Sequence, residues 1–289
     1  MTQVYLNGEF VSQEDAKISP MDRGFLFGDG IYEVIPCYWQ ASEPKTVGLS
    51  LHLKRMNNGL EETGIKYQAD EKQWAEIINH LAQQLPESDV GIYIHVSRGT
   101  DVKRFHAYPD NVEPTVFAYA FAIPPSQPLD RDIAKTYTVS TAQDLRWQRC
   151  HIKSTSLLGN VMHFQQGQDA GKDEMILFDK NGYITEAAAC NVFVIKDRVI
   201  YTPPVDNHLL PGVTRGIIIE SLKRAGGFDV REQGVPISML ESCDEVWITS
   251  SSKEIGPVVA IDDRILGDGK PGELWLNAQR AYNDFKFLV

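Results

Sequence analysis

Apolar residues in the first half of the chain follow a helical period in two segments. Between Leu49 and Leu60 they are spaced by four, three and four positions, which predicts one face of a helix that closes at Gly64. A second helix is predicted to begin after Asp70, because Gln73 three positions later completes a capping box. Its predicted buried stripe comprises Trp74, Ile77, Ile78, Leu81 and Leu85.

Strand-like runs surround these helices. Asn7-Gly8 is a strong hairpin signal and predicts two short strands between Val4 and Val11. The tight turn Gly28-Asp29-Gly30 leads into a strand rather than a helix and lacks the third glycine of a dinucleotide site. The remaining predicted strands of this half are Ile31–Ile35, Gly91–Ser97 and Thr115–Ile123.

The second half is richer in strands. Predicted strands cover Met175–Phe178, Tyr183–Thr185, Val192–Ile195 and Val199–Thr202, and predicted helices cover Ser156–Gln168 and Thr214 to about Arg224. Pro124-Pro125-Ser126-Gln127-Pro128 is typical of a linker. We therefore predict a small N-terminal α/β domain over residues 1–123, a linker over 124–129 and a larger strand-rich C-terminal domain over 130–289. The fold class is mixed α and β (α+β) with antiparallel character, not regular βαβ alternation.

Composition limits the partners. The 289 residues carry a formal net charge of -11, which argues against a nucleic-acid partner because phosphate binding needs a basic surface. No apolar run approaches the ~20 residues of a membrane-spanning helix, and we expect no membrane association. The four cysteines form no C-x-x-C pair and the histidines lack metal-ligand spacing, so we expect free thiols in a reducing cytoplasm and no metal.

Two segments of the second half offer hydrogen-bond donors to an anion. Gly212 precedes Val213 and Thr214 at the start of an apolar helix, where Thr214 is a good N-cap and backbone N–H groups can bind phosphate. A strand from Val246 runs into the hydroxyl cluster Thr249-Ser250-Ser251-Ser252. Each segment alone is more often a capped helix or a serine-rich turn, but the two together favour a phosphate site.

Two ionisable residues lie in stretches of small and apolar residues. Lys153 follows Cys150-His151-Ile152, and a lysine removed from water can form a Schiff base with an aldehyde. Glu186 precedes the alanine run 187–189, where a carboxylate needs a partner that offsets its desolvation. A pyridinium N–H is one such partner, and a structural hydrogen bond is the alternative.

Together these segments resemble the fold-type IV pyridoxal-phosphate (PLP) enzymes, which include D-amino-acid aminotransferases, branched-chain aminotransferases and aminodeoxychorismate lyases. The resemblance runs almost end to end, from Asn7-Gly8 to Ile255-Gly256-Pro257. Its most specific motifs are Asp22-Arg23-Gly24, Phe27-Gly28-Asp29-Gly30, His151-Ile152-Lys153, Thr185-Glu186, Asn191-Val192-Phe193, Gly212-Val213-Thr214-Arg215 and Thr249-Ser250-Ser251. Several ordered motifs are a stronger signal than any one of them.

The resemblance implies a role for each motif. Lys153 would hold PLP as a Schiff base and move protons between the substrate Cα and C4′ of the cofactor. Glu186 would keep the pyridine nitrogen protonated, so that the ring acts as an electron sink. Arg55 would bind the phosphate group. The other implied cofactor contacts are Val213, Thr214, Ser250, Ser251 and Leu210, the last packing against the ring.

Arg104-Phe105-His106 matches the Arg-x-His signature of the D-amino-acid branch. The resemblance implies that Tyr32, Arg104 and His106 bind the substrate α-carboxylate, with Arg104 and His106 contributed by the neighbouring subunit of a homodimer. It implies amino transfer between D-alanine or D-glutamate and 2-oxo acids through a pyridoxamine-phosphate intermediate. Two departures are the Ala187-Ala188-Ala189-Cys190 run, where Gly and Ser are expected, and a loop before Arg104 that is one residue longer than expected.

Three alternatives stay open. A branched-chain L-amino-acid aminotransferase would share the cofactor, but Arg104 and His106 argue against it. An aminodeoxychorismate lyase would release pyruvate without an amino acceptor. A non-catalytic binding protein of the same fold is disfavoured because the chain has both Lys153 and Glu186.

Overall fold

The computed structural model describes residues 2–288, which divide into two compact units. The first unit holds the described residues up to Pro125 together with Ile152–Leu157, and the second holds Ser126–His151 and the described residues from Leu158 onward. The chain thus leaves the first unit within the proline-rich stretch 124–129. Residues 152–157 lie in the first unit, although the predicted C-terminal domain over 130–289 includes them. The reason is that Ser154 forms an antiparallel bridge with Ile31.

The first unit contains, within the described residues, six strands and three helices. They are β1 (Gln3–Leu6), β2 (Glu9–Ser12), α1 (Arg23–Phe27), β3 (Gly30–Gln40), β4 (Glu43–Thr46), α2 (Leu49–Thr63), α3 (Glu71–Ala82), β5 (Val90–Ser97) and β6 (Thr115–Ala122). The strands form one antiparallel sheet in the order β2-β1-β6-β5-β3-β4. Asn7 and Gly8 both have positive φ, which suits the predicted β1–β2 hairpin.

The helices α2 and α3 supply the apolar core of this unit. Gly64 ends α2 in the left-handed conformation, and the Asp70 side chain accepts a hydrogen bond from the backbone N–H of Gln73. Both predicted helix ends are therefore confirmed. Trp74, Ile77, Ile78 and Leu81 are buried as predicted, while Leu85 follows the end of α3 and is half-buried.

The second unit contains, within the described residues, nine strands, three α-helices and a short 3-10 helix at Ile237–Glu241. The strands are β7 (Tyr137–Gln143), β8 (Glu174–Phe178), β9 (Ile184–Ala187), β10 (Asn191–Lys196), β11 (Val199–Thr202), β12 (Asp229–Glu232), β13 (Glu245–Ser250), β14 (Glu254–Ile261) and β15 (Arg264–Ile265). The helices are α4 (Leu158–Asp169), α5 (Val213–Ala225) and α6 (Glu273–Phe285).

One mixed, curled sheet organises this unit. Its order is β12-β11-β10-β13-β14-β7-β8-β9, with β15 on β14. β7 is parallel to both β8 and β14, and β11 is parallel to β12, so the expected antiparallel character holds only for the other pairs. β9 is an edge strand and β10 is an inner strand of this sheet. The N–H of Ala187 in β9 donates to the carbonyl of Cys190, which directly precedes β10, so the sheet curls and its edge strand lies next to an inner strand. Among residues 2–288, no helix combines the length and the apolar character needed to cross a bilayer.

Candidate active site

Lys153 lies on an extended segment that is hydrogen-bonded to the start of β3. The N–H of Tyr32 donates to the Lys153 carbonyl at 3.0 Å, and the N–H of Thr155 donates to the Gly30 carbonyl at 2.9 Å. The Lys153 Nζ lies 4.3 Å from the centroid of the Tyr32 ring. The fold therefore brings together two of the predicted site residues of the first unit, with the ammonium group facing an aromatic ring.

Arg55, on α2, is held by a buried carboxylate on β3. Its Nε donates to Oε1 of Glu33 at 2.8 Å, and its Nη2 donates to Oε2 at 2.7 Å. His52 contacts the same Oε2 through Nδ1 at 2.7 Å. Burial disfavours the charge of Glu33, but Arg55 and His52 together outweigh burial through attraction and hydrogen bonds, and they hold the pKa of Glu33 well below its usual range. Burial lowers the pKa of His52. The predicted phosphate ligand thus has a fixed orientation.

Arg104 and His106 meet on the ring of Phe27. The Arg104 Cζ lies 5.1 Å from the ring centroid, and the centroid of the His106 ring lies 5.4 Å from it. Both residues are exposed. Within residues 2–288, no hydrogen bond or ring contact joins either of them to Tyr32. The structure therefore brings together two of the three predicted carboxylate-binding residues but not the third.

In the second unit, Glu186 belongs to a buried ion cluster. Arg146 donates to Oε1 of Glu186 at 2.6 Å and to Oδ2 of Asp144 at 2.8 Å. The side chains of Arg146 and Glu186 are 3% and 7% exposed. Burial disfavours the charge of Asp144, but hydrogen bonds and attraction from Arg146 outweigh it and hold the pKa of Asp144 below its usual range. The Thr185 hydroxyl also donates to Asp144, at 2.8 Å.

The other carboxylate oxygen of Glu186 is fixed by β10 and by the segment before α5. The Asn191 amide donates to Oε2 at 3.3 Å, and the backbone N–H of Leu210 donates to it at 3.1 Å. Asn191 also donates to the Leu210 carbonyl at 2.9 Å. Gly212 is required here, since a Cβ would lie 1.9 Å from Oδ1 of Asn191. Leu210 therefore reaches the cluster through its backbone.

The predicted anion donors Val213 and Thr214 lie in the first turn of α5. The N-cap is Gly212, so the prediction that Thr214 caps the helix is wrong, and Thr214 is its second residue. Gly212 has the extended backbone that an N-cap needs but offers no side-chain acceptor to the first N–H groups. Such a helix start suits an anion.

The other predicted anion donors follow β13. Ser250 ends this strand, and its Oγ accepts a hydrogen bond from the N–H of Lys253 at 3.3 Å. Ser251 comes next and is half-buried. Thr249 pairs with Asn191 across the sheet, and its hydroxyl is buried without a hydrogen-bond partner in the part of the chain that the structure describes. An unpartnered buried hydroxyl beside this turn leaves a donor for a ligand oxygen.

The donors and acceptors of this unit test whether PLP suits these residues. Glu186 presents a buried carboxylate whose oxygens are oriented by Arg146, Asn191 and Leu210, and a carboxylate can accept a hydrogen bond from a protonated pyridine nitrogen. The buried hydroxyl of Thr249, which has no hydrogen-bond partner among the described residues, can donate to a ligand oxygen. Val213, Ser250 and neighbouring donors suit a phosphate group. The residues present therefore fit PLP, whereas within residues 2–288 no three His, Cys, Asp or Glu side chains are grouped as a metal would require.

Sequence reasoning missed the partners that hold the predicted residues. Arg146 holds Glu186 and is itself held by Asp144, while Glu33 holds Arg55. Asn191 was identified only as part of a motif. A signal did exist for Asp144 and Arg146, because residues two apart in extended backbone point the same way. Nothing local indicates that Arg146 contacts Glu186, 40 positions further on.

Comparison with known proteins identifies relatives along the whole chain. The family described as Amino-transferase class IV matches residues 30–261. The D-alanine aminotransferase of Staphylococcus haemolyticus is 35% identical over 99% of this chain and 98% of its own length. That of Bacillus licheniformis is 36% identical over 96% of this chain and 95% of its own length.

Solved structures show the same fold. The branched-chain amino acid aminotransferase of Escherichia coli aligns with a TM-score of 0.88 and 26% identity, covering 98% of this chain and 93% of that one. The T.th. branched-chain enzyme complexed with N-(5'-phosphopyridoxyl)-L-glutamate aligns with a TM-score of 0.86 and 25% identity, covering 99% and 94%. The predicted mixed α and β fold of the fold-type IV enzymes is confirmed, and the chain is an aminotransferase that belongs to the class IV family.

Proposed function

We propose that this protein is a PLP-dependent transaminase that moves the amino group between D-amino acids, D-alanine and D-glutamate among them, and 2-oxo acids. The observation that carries the proposal is the buried carboxylate of Glu186, which Arg146, Asn191 and Leu210 orient and which can accept a hydrogen bond from a pyridinium. The relatives named D-alanine aminotransferase, similar along nearly the full length, support the choice of substrate.

Lys153 and Glu186 divide the chemistry at the cofactor. Bound PLP would supply an electron-accepting ring that stabilises the negative charge developing at the substrate Cα. The Lys153 Nζ would hold the cofactor covalently and then carry a proton to and from Cα. Glu186, oriented by Arg146 and Asn191, would keep the proton on the ring nitrogen. Because these partners fix both carboxylate oxygens, little reorganisation would accompany the reaction.

The phosphate and the ring would be held by residues that the fold has already oriented. We assign the phosphate to Arg55, to the N–H and hydroxyl groups of Val213 and Thr214, and to Ser250 and Ser251. Leu210 would pack against the ring. The contact of Arg55 with Glu33 supports this assignment, since it fixes the guanidinium before a ligand arrives.

Arg104, His106 and Tyr32 would bind the α-carboxylate of the substrate. An arginine fork can make two parallel charge-assisted hydrogen bonds to a carboxylate, and His106 and Tyr32 can donate further bonds. With the carboxylate pinned, only one enantiomer directs its Cα hydrogen at Lys153. We propose that this enantiomer is D, on the Arg104-Phe105-His106 signature and on the relatives' substrate.

We further propose a homodimer in which Arg104 and His106 serve the partner's site. Both are exposed in the single chain, as residues that act on a neighbour would be. On α4, Leu158, Val161 and Met162 are 72%, 57% and 65% exposed. Apolar residues grouped on one helix face in this way mark an interface, here with a second copy. Sedimentation should give twice the chain mass of 32.5 kDa, and Val161→Glu should shift it toward one chain.

We also assign the enzyme to a reducing compartment, the cytoplasm. All four cysteines are free and buried in the structure. Burial raises the pKa of Cys37 and Cys190 to about 12 and that of Cys150 to about 11. Thiols protected in this way suit a compartment that does not form disulfides.

The absorbance of the PLP-loaded protein tests the proposed function. The unmodified enzyme should show a visible band that D-alanine bleaches and L-alanine does not, and borohydride reduction should fix the pyridoxyl group on Lys153. Lys153→Ala should lose the band and nearly all turnover. The matched control is Lys180→Ala, in an exposed turn, which should behave like the parent. Bleaching by L-alanine alone, or labelling of another lysine, would contradict the proposal.

A branched-chain L-amino-acid aminotransferase is the second candidate, and the alignment with the Escherichia coli structure favours it. Sequence identity is lower there, at 26%, than to the D-alanine aminotransferases, at 35% and 36%. A screen of L-leucine, L-valine and D-alanine with the same 2-oxo acid separates the two candidates.

A further inference from the structure

We propose that α1 and the turn after it form a platform that positions the Arg104–His106 pair for the substrate carboxylate. Arg23 acts on the backbone of the loop and Phe27 acts on its two side chains, while Asp29 holds Arg23. These three residues, here called the α1 platform, would be positioning residues and would not touch the substrate. The inference rests on the proposed function.

Arg23 clamps the loop through two carbonyl groups. Its Nη1 donates to the carbonyl of Phe105 at 2.6 Å, and its Nη2 donates to that of His106 at 3.2 Å. Arg23 is only 3% exposed, although the loop residues that it binds are exposed. Hydrogen bonds from a buried charged donor are stronger than neutral ones, so they fix the loop backbone where the pair is attached.

A cluster of ion pairs around the half-buried Asp29 anchors Arg23 in turn. Asp29 accepts from the Nε of Arg23 at 2.8 Å and from the Nε and Nη2 of Arg98 at 2.7 and 2.9 Å. Burial disfavours the charge of Asp29, but Arg98 and Arg23 outweigh it and lower its pKa. Arg98 also donates to the carbonyls of Thr63 and Gly64, at 2.8 and 3.0 Å. The loop is therefore connected to the end of α2 by an unbroken series of charged hydrogen bonds.

Phe27 acts on the side chains. The Arg104 Cζ and the His106 ring lie 5.1 and 5.4 Å from its ring centroid, and the Arg23 Cζ lies 4.8 Å from it. A guanidinium is attracted to the face of an aromatic ring. One ring thus gathers the two side chains that must converge on a carboxylate, on a loop that has no helix or strand of its own between Asp101 and Asp110.

The same contacts explain the Asp22-Arg23-Gly24 motif and the longer loop. Asp22 caps α1 through the N–H of Gly24 at 2.8 Å and accepts from the hydroxyls of Ser97 and Thr115, which fixes the platform to the sheet. The additional residue expected from the resemblance would lie before Arg104, whereas the Arg23 contacts come after it. The loop can therefore be longer without displacing the pair.

Two variants of the PLP-loaded enzyme test the platform. Arg23→Lys keeps a positive charge near Asp29 but lacks the planar guanidinium, whose separate nitrogens bind Asp29, Phe105 and His106 at once. Phe27→Leu removes the ring and leaves the ion pairs of Asp29 with Arg23 and Arg98 in place. For each variant we expect KM for D-alanine to rise about ten-fold and kcat to change less than about three-fold. The reason is that the variants misplace a charge-assisted contact to the substrate carboxylate, while the groups that carry out the reaction stay in place. Turnover of a primary amine without a carboxylate should stay at the parental rate.

Limited trypsin digestion supplies a readout that does not depend on activity. Cleavage after Lys103 and Arg104 should become about five-fold faster in Arg23→Lys, with the other peptides unchanged. The control is Arg131→Lys. Arg131 also binds one carbonyl, that of Pro271, and one aspartate, Asp268, but it lies in the second unit. This variant should keep the parental KM and digestion pattern.

The outcomes are distinguishable. Parental KM and parental loop cleavage in both variants, or equal losses on D-alanine and on the amine, overturn the platform. Should Arg23→Lys fail to fold, Phe27→Leu decides the question through its KM. An unmodified enzyme that does not use D-alanine refutes the proposed function instead, and loop cleavage in the variants still tests whether Arg23 holds the loop.

Discussion

Replacing Arg146 by methionine should destabilise the protein more than any exposed charge substitution. The change keeps an unbranched chain but removes the positive charge shared by Asp144 and Glu186, with Arg146 itself 3% exposed. Removing one partner of a buried ion pair costs about 3–5 kcal/mol, because it leaves an uncompensated charge. Since Asp144 and Glu186 both lose their contact with Arg146, we expect a loss near 5 kcal/mol, a large part of the ~5–15 kcal/mol that a domain has in total.

The loss should depend on pH. Arg146 lowers the folded-state pKa of Asp144, so this group contributes stability that is complete above the unfolded pKa of ~3.9 and is lost as pH falls through the lower folded value. In Arg146→Met, burial persists without the guanidinium, so the pKa of Asp144 should rise above its unfolded value. The charged form of Asp144 then opposes folding at neutral pH, and protonation of Asp144 removes this unfavourable contribution. The deficit relative to the parent should therefore shrink as pH falls from about 7.5 to about 5.

Urea unfolding of the cofactor-free protein, followed by tryptophan fluorescence at both pH values, measures this deficit. The matched control is Arg224→Met, which removes an exposed pair with Glu220 whose side chains are 40% and 42% exposed. Such a pair on one helix is worth about 0.3–0.5 kcal/mol. If Arg146→Met and Arg224→Met unfold at the same urea concentration, or if the deficit grows at the lower pH, the cluster does not stabilise the fold in the way described.

Two further substitutions probe other close contacts. Gly212→Ala should weaken PLP binding at least about ten-fold in a fluorescence titration, because the new Cβ would lie 1.9 Å from Oδ1 of Asn191. The control is Gly216→Ala, whose Cβ would meet nothing within 4 Å. It should leave PLP binding unchanged and stabilise α5 by about 0.5–1 kcal/mol. Equal PLP affinity in the two variants would contradict this. Lys286→Met should cost about 3–5 kcal/mol in urea unfolding, since the 4% exposed Lys286 pairs with buried Glu254 at 2.6 Å; a loss below about 1 kcal/mol would count against it.

Local signals predicted the elements whose ends carry their own chemistry. The α3 helix begins where Asp70 and Gln73 indicate, and the β1–β2 hairpin turns at Asn7-Gly8. By contrast α1 has five residues, too few for any hydrophobic period, and its start depends on Asp22. The α6 helix was missed although its buried face includes Leu274, Trp275, Ala278 and Tyr282 at helical spacing.

Long-range pairing lies beyond what local patterns can predict. The parallel contact of β7 with β14 joins Tyr137 to Val258, and no turn residue specifies it. The Thr214 cap failed for a related reason, since glycine is an adequate N-cap and Gly212 is needed where the backbone approaches Asn191 closely. Sequence motifs predict Lys153 and Glu186 as site residues, a prediction that stays open, whereas the contact of Arg146 with Glu186 arises only from the tertiary fold.

Arg55 and Glu186 have one feature in common, a buried partner of opposite charge that orients each of them before any ligand binds. Glu33 holds Arg55 and Arg146 holds Glu186. An arginine side chain has about 2 kcal/mol of rotamer entropy, and one that folding has already ordered does not lose it again when phosphate binds. That difference corresponds to about thirty-fold in affinity. A residue such as Glu33, which binds no ligand in the proposed scheme, should therefore be nearly as sensitive to substitution as the arginine that it orients.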